Sequence, residues 1–211
     1  MVSQLQLLAL DRERRPLPKN LLVFASGSNR PEEIEGFTRI GVPVGVSAQH
    51  LSERAVLTLS QSALPVMVDS GAFSEVCVTP NGLEVVTPIS HAEWKRRLDL
   101  YRRLAESLGG RAMLVVPDRV GDQQETLRRL RRYREEIEAL AELGAVLLLP
   151  LQVGGLLPAA FYSRAREVAG APMIPALPMR KAATTVSALV DFIESVEPGR
   201  IHLLGVGIEN R

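Results

Sequence analysis

Three short stretches place groups capable of proton transfer or base recognition directly behind apolar runs. Asp69 follows Val66-Met67-Val68 and leads into Ser70-Gly71-Ala72-Phe73; Asp118 follows Ala112 to Val116 and Pro117; Gln152 follows Ala145 to Leu151 and precedes Val153-Gly154-Gly155. A carboxylate carried to a strand end is suited to acid/base work, because burial disfavours its charge and lifts its pKa toward working pH. Carboxylate and amide oxygens accept the N–H groups of a flat polar guest such as a nucleobase, and glycines let a ring approach the backbone. Each residue also has an ordinary structural role. Asp69 fits an Asx turn, Asp118 a helix N-cap, and Gln152 a polar loop.

The elements that must position these groups are legible as an alternation. Almost continuously apolar runs at Leu21 to Ala25, Val42 to Val46, Val66 to Val68, Ala112 to Val116, Ala145 to Leu151, Pro172 to Leu177 and Ile201 to Leu204 read as strands buried on both faces of a parallel sheet. Amphipathic stretches between them predict helices over Pro31 to Phe37, Glu53 to Gln61, Ser90 to Leu108, Gln123 to Leu143, Pro158 to Val168 and Ala182 to Val196. Val76 to Val86, with Asn81-Gly82 at its centre, predicts a β-hairpin inserted after the third strand. The expected fold class is therefore α/β, a (β/α) TIM-type barrel that is incomplete at about seven strands, against about 250 residues for a full barrel. The rival is a doubly wound open sheet, disfavoured because Ala25-Ser26-Gly27-Ser28-Asn29 does not fit a dinucleotide fingerprint. We expect one domain over residues 1–211, with 1–20 as an N-terminal extension.

In such a barrel the reactive groups gather where the strands end. Those positions add Ser47-Ala48-Gln49, Ala176-Leu177 and Gly205-Val206-Gly207 to the two acids and the amide, with Arg119, Arg180 and Lys181 as candidate phosphate contacts. The arginine run from Arg128 to Arg134 reads instead as the solvated outer face of a helix whose buried face is Leu127, Leu130, Ile137 and Leu140. His50, His91 and His202 lack metal-ligand spacing, and His202, inside a strand, reads as a core or edge residue. Cys77 reads as a small apolar side chain.

Bulk properties exclude several classes. With 25 Lys plus Arg against 24 Asp plus Glu the net charge is +1, so nucleic acid would have to be held by a local patch. One cysteine rules out an intrachain disulfide framework or a thiolate zinc cluster, and a cytoplasmic setting is expected. No apolar stretch is long enough to cross a bilayer, so no membrane partner is expected.

The wording of the strand ends resembles the queuine/archaeosine tRNA-guanine transglycosylase family. "VMVDSGAFSEV" is similar to that family's Asp-Ser-Gly-Gly-Phe-Gln segment, and "VVPDRVGD" lies where it has a second, base-recognising aspartate. "LPLQVGG" is similar to its Val-Gln-Gly-Gly loop, "IPALPM" to the segment that lends backbone groups to the base, and "IHLLGVG" to its Leu-Met-Gly-Val-Gly strand. The branch that inserts 7-deazaguanines into DNA is the most similar in wording. The resemblance implies exchange of guanine for a 7-deazaguanine in DNA or tRNA by cleavage of the N-glycosidic bond. Asp69 would be the general acid/base. Ser70, Gly71, Phe73, Asp118, Gln152, Gly154, Gly155, Ala176 and Leu177 would line the base. Phe73 would buttress Asp69 or stack on the ring.

The family's nucleophilic aspartate and its zinc ligands follow the Gly-Val-Gly strand, where this sequence stops, and Ala72 replaces a family glycine. The resemblance therefore implies no metal or other cofactor here, and leaves several alternatives open. A partner subunit or a second copy would complete the site, Asp69 would itself attack, or the protein would bind a purine or 7-deazaguanine without exchanging it. A hydrolase acting on small nucleosides is a further alternative.

Overall fold

A computed structural model of the protein describes residues 21–27, 29–80, 82–179 and 185–205. The N-terminal extension, Ser28, Asn81, Arg180, Lys181 and Val206-Gly207 of the last strand motif lie outside the described residues, so the two basic candidates after the sixth sheet strand are not placed.

Among the described residues nine strands form: β1 (Ala25–Ser26), β2 (Val44–Ser47), β3 (Val66–Asp69), β4 (Val76–Thr79), β5 (Gly82–Val85), β6 (Ala112–Val115), β7 (Val146–Pro150), β8 (Ile174–Pro178) and β9 (His202–Leu204). Seven of them make one parallel sheet in the order β1-β2-β3-β6-β7-β8-β9, and β4 and β5 pair antiparallel as the expected hairpin. The helices are α1 (Pro31–Arg39), α2 (Glu53–Ser60), α3 (His91–Leu108), α4 (Gln123–Arg132), α5 (Arg134–Glu142), α6 (Pro158–Ala169) and α7 (Val186–Val196). The stretch expected as one helix over Gln123 to Leu143 is broken at Tyr133, whose φ of -111° and ψ of 25° leave the helical region. Among the described residues no helix is long and apolar enough to cross a membrane.

The sheet separates two apolar layers because successive strand side chains point to opposite faces. Val44, Val46, Val66, Val68, Leu114, Leu147, Leu149 and Leu177 face the helices, together with Trp94, Leu104, Leu130, Ile137 and Phe161. Met67, Met113, Val115, Leu148 and Ala176 form a second cluster on the other face, joined by Phe24 beside β1 and Leu204 on β9. Residues flanking the two edges of a flat seven-stranded sheet would be far apart, at about 4.8 Å per strand. Here the Phe24 and His202 rings are 6.0 Å apart, edge to face. The sheet is thus curled into a half-barrel with an apolar floor, and every strand delivers its C-terminal residue to one end.

Local capping explains why the long helices start where they do. Ser90 Oγ accepts from Glu93 N at 3.1 Å at the head of α3, and Asp122 Oδ1 accepts from Glu125 N at 2.9 Å at the head of α4. The cap of α4 is therefore Asp122, which leaves Asp118 outside the helix. The hairpin extends from the body with Val78, Val85 and Val86 exposed, and Cys77 is exposed with them rather than packed as a small apolar residue.

Candidate functional site

The ends of β3, β6 and β7 are tied together by one carboxylate. Asp118 is buried, and its Oδ1 accepts from Ser70 Oγ at 2.7 Å while its Oδ2 accepts from Gln152 Nε2 at 2.7 Å. Gln152 Oε1 in turn accepts from Gly121 N at 2.8 Å, which fixes the orientation of the amide. Burial pushes Asp118 up to about 7; the Ser70 hydrogen bond opposes that rise, and the neighbouring Asp69 charge adds to it.

Asp69 stands one residue before Ser70, at the last position of β3. Register with Ser47 and the alternation of the strand turn it away from Val68, toward the inside of the curl. Its Oδ1 accepts from Gly71 N at 2.7 Å, an Asx turn. The ordinary role and the functional placement therefore coexist. Burial raises its pKa, opposed by the Gly71 N–H and by the positive fields of Arg97 and His202. Tyr101, behind both acids, is held well above the usual phenol range by burial first and by the charges of Asp69 and Asp118 next. Its hydroxyl donates to Val115 O at 3.0 Å. The two acids thus share one neighbourhood.

The turn after Asp69 needs glycine. Gly71 has φ 74°, and a Cβ there would sit 3.0 Å from Arg97 Nη1, 3.1 Å from Gln49 Cβ and 3.2 Å from Ser47 Oγ. The β7 loop is held from α4. Gln123 Nε2 donates to Gln152 O at 2.8 Å and Leu156 O at 2.9 Å, and its Oε1 accepts from Leu156 N at 2.9 Å. A Cβ on Gly154 would lie 2.5 Å from Gln123 Oε1, so the loop closes onto this clamp only with glycine at that position.

Behind the mouth lies a charged support. Trp94 is buried against two guanidinium groups, Arg97 at 5.4 Å and Arg129 at 5.2 Å from its ring centroid. Arg97 Nη1 donates to Ser70 O and Arg129 Nη1 to Asp118 O, both at 2.5 Å. The pair therefore grips the backbone of both strand ends. Glu75, fully buried, accepts from Arg129 Nη1 at 2.7 Å, Arg129 Nη2 at 2.8 Å and Ile89 N at 2.5 Å. Arg119 Nη2 donates to Glu75 Oε1 at 3.4 Å, and its Nε lies 3.1 Å from Glu75 Oε2 without the alignment of a directed hydrogen bond.

Several expectations are corrected by this support. Arg119 is 7% exposed and turned inward onto Glu75, so it is no phosphate contact. Arg129 is not on a solvated face: it is 5% exposed and lies on the stripe that continues through Tyr133 and Ile137. Phe73 is about half exposed. Ala176 faces the floor of the half-barrel and Leu177 the helices, and the carbonyl of Ala176 accepts from Leu151 N at 2.9 Å. Gly155 and Gly154 remain exposed beside Gln152.

Sequence reasoning missed Trp94, Arg97, Gln123 and Glu75. Arg97 and Arg129 were detectable as charges inside otherwise apolar helical stripes, at four residues from Tyr101 and Tyr133 respectively. Gln123 and Glu75 gave no such signal, since their partners are 33 and 54 residues away. His202 occupies the row of Ala176, its registered neighbour, and so faces inward. Among the described residues no group of three or more His, Cys, Asp or Glu side chains is placed to hold a metal ion. No protein-family model matches this chain, and comparison with curated proteins finds no match to it either.

Proposed function

We propose that this protein is a transglycosylase-like enzyme of an incomplete TIM-type barrel, exchanging guanine for a 7-deazaguanine in DNA or tRNA. One observation carries the reading: Asp69 and Asp118 converge at one strand-end mouth, joined through Ser70, with the Gln152 amide on the far side of Asp118. A carboxyl with a raised pKa at Asp69 is matched to protonating a departing ring nitrogen and receiving a proton from the entering base. Asp118 and Gln152 carry the acceptor and donor types that a guanine edge requires, here bonded to each other, and the glycines at 154 and 155 are exposed beside them. Phe73, Val153 and Met179 give the same end an exposed apolar rim on which a base can stack.

A second reading, binding of a purine or 7-deazaguanine without exchange, is favoured by the state of Asp118. Both of its oxygens are occupied by protein donors, so a guest must displace Ser70 or Gln152 to reach them. Release of labelled guanine from tRNA and from DNA, with 7-deazaguanine supplied, separates the readings. Exchange that is lost in Asp69→Asn and Asp118→Asn supports the enzyme. Tight 7-deazaguanine binding with no release from either polymer supports the binding protein, and undiminished exchange in both variants removes the site assignment.

A further inference from the structure

Most of the polar groups at the mouth are already spent on one another. Both oxygens of Asp118 accept protein donors, both ends of the Gln152 amide are used, and Ser70 Oγ donates to Asp118 while accepting from Ala72 N at 3.2 Å. The inner face of the β1–β3 arm is different. Asp69 Oδ1 accepts from Gly71 N, and its Oδ2 has no hydrogen bond among the described residues. Ser47, its registered neighbour on β2, stands before the short turn at Ala48–His50, and yet its hydroxyl caps nothing. That hydroxyl lies 3.2 Å from where a Cβ on Gly71 would be, beside the turn that holds Asp69. Asn29, from the loop after β1, accepts at Oδ1 from Ser47 N at 3.0 Å and keeps its Nδ2 unspent among the described residues. Below them, Ser26 Oγ and Met67 Cε lie 2.7 and 2.9 Å from where a Cβ on Gly45 would be, so a further hydroxyl borders the apolar floor.

Asn29, Ser47 and Asp69 are half-buried, and unpaired groups at such positions are where a guest's polar atoms fit. Together they offer an acceptor at Asp69 Oδ2, a donor at Asn29 Nδ2, and at Ser47 a hydroxyl that is both. A phosphate is a poor match, because it would bring its charge against an acceptor-only carboxylate. Sugar hydroxyls match, since each donates and accepts at once. One of them donates to Asp69 Oδ2 while accepting from Ser47 Oγ, and its neighbour on the ring accepts from Asn29 Nδ2. We infer that Asn29, Ser47 and Asp69 form a subsite for the vicinal hydroxyls of a ribofuranose, with Asn29 and Ser47 the residues that tell ribose from deoxyribose. Sugar binding stands on this arm alone. Its service in catalysis, seating the nucleotide against Asp69, rests on the base-exchange reading.

The test has two arms, and Ser47→Ala is the central variant: a hydroxyl that holds nothing in the protein can be removed with Tm near wild type. In the first arm, methyl β-D-ribofuranoside and its 2-deoxy counterpart are titrated while the Asn29 side-chain amide is followed by NMR. That signal is assigned by its loss in Asn29→Asp, which keeps the oxygen bonded to Ser47 N and removes only the donor. The ribofuranoside should shift the signal, the 2-deoxy sugar should leave it in place, and Ser47→Ala should weaken the response. No shift with either sugar, or equal shifts with both, overturns the subsite. In the second arm, calorimetry compares guanosine with 2′-deoxyguanosine. Guanosine should bind roughly 10-fold tighter, the size of one hydrogen bond to a charged group, and the advantage should vanish in Ser47→Ala. Equal wild-type affinities overturn the sugar subsite and leave base binding standing. If neither nucleoside binds, the base reading fails, and the sugar titration alone decides the subsite.

Discussion

Replacing Asp118 by asparagine should stabilise the protein at neutral and alkaline pH, by an amount that grows with pH. Asparagine keeps the shape: its oxygen can accept from Gln152 and its amide can donate to the Ser70 hydroxyl, while the buried charge disappears. The Asp118 pKa is raised from 3.8 in the unfolded chain to about 7 in the fold, chiefly by burial. About three units at about 1.4 kcal/mol each makes the ionised form about 4 kcal/mol less favourable in the folded protein than in the unfolded one. For an acid raised on folding, the native state binds the extra proton between those two values. Stability from Asp118 is complete below about 3.8, declines as pH rises through the window, and is fully lost above about 7. The gap between variant and wild type, measured by urea unfolding with equal m-values, should widen by about 3 kcal/mol between about pH 4.5 and about pH 8 in favour of asparagine. Against a typical total stability of about 5–15 kcal/mol that is a large share, tolerable only where function requires the acid. A gap that stays constant across this range, or widens in favour of aspartate, would refute the reasoning.

The remaining predictions concern the parts that hold the site. Glu75→Gln leaves the buried Arg119 guanidinium without its counter-charge and Arg129 with Glu125 alone, and should cost about 3–5 kcal/mol in chemical unfolding; a loss under about 1 kcal/mol would mean water reaches them. Gly154→Ala must push the Gln123 amide away, since the new Cβ would lie 2.5 Å from its oxygen, whereas Gly155→Ala meets nothing within 4 Å. The first should lower Tm and speed hydrogen exchange at Leu156 N–H, and the second should leave both near wild type. Trp94→Leu removes the ring against Arg97 and Arg129 and should destabilise by about 2–5 kcal/mol. Trp94→Phe, which retains a ring face, should lose distinctly less in the same denaturant series.

Much of the architecture was written locally. The apolar runs at Val66 to Val68, Ala112 to Val116 and Ala145 to Leu151 could only be doubly covered strands, and each became one. The hairpin was legible because Asn-Gly between β-formers has few other conformations. The break at Tyr133 was not, since leucines continue at helical spacing on both sides of it. There the aromatic side chain lies beside Trp94 and His91, with a hydrogen bond of 3.0 Å between its hydroxyl and the His91 ring, in place of an unbroken helix.

The sequence by itself determined which residues end the strands, and therefore that Asp69, Asp118 and Gln152 would emerge on the same side of a parallel sheet. Strand direction and the two-residue alternation suffice for that. Only the tertiary structure decided what those groups meet. The curl of the sheet brings β9 round to the opposite edge and sets the His202 ring 6.0 Å from that of Phe24. Packing of α3 and α4 around Trp94 converts three arginines, which composition alone assigns to solvent, into supports for the site. A side chain's partners there lie tens of residues away along the chain, and burial sets the strength of each charge. Both are properties of the closed packing that no local stretch contains.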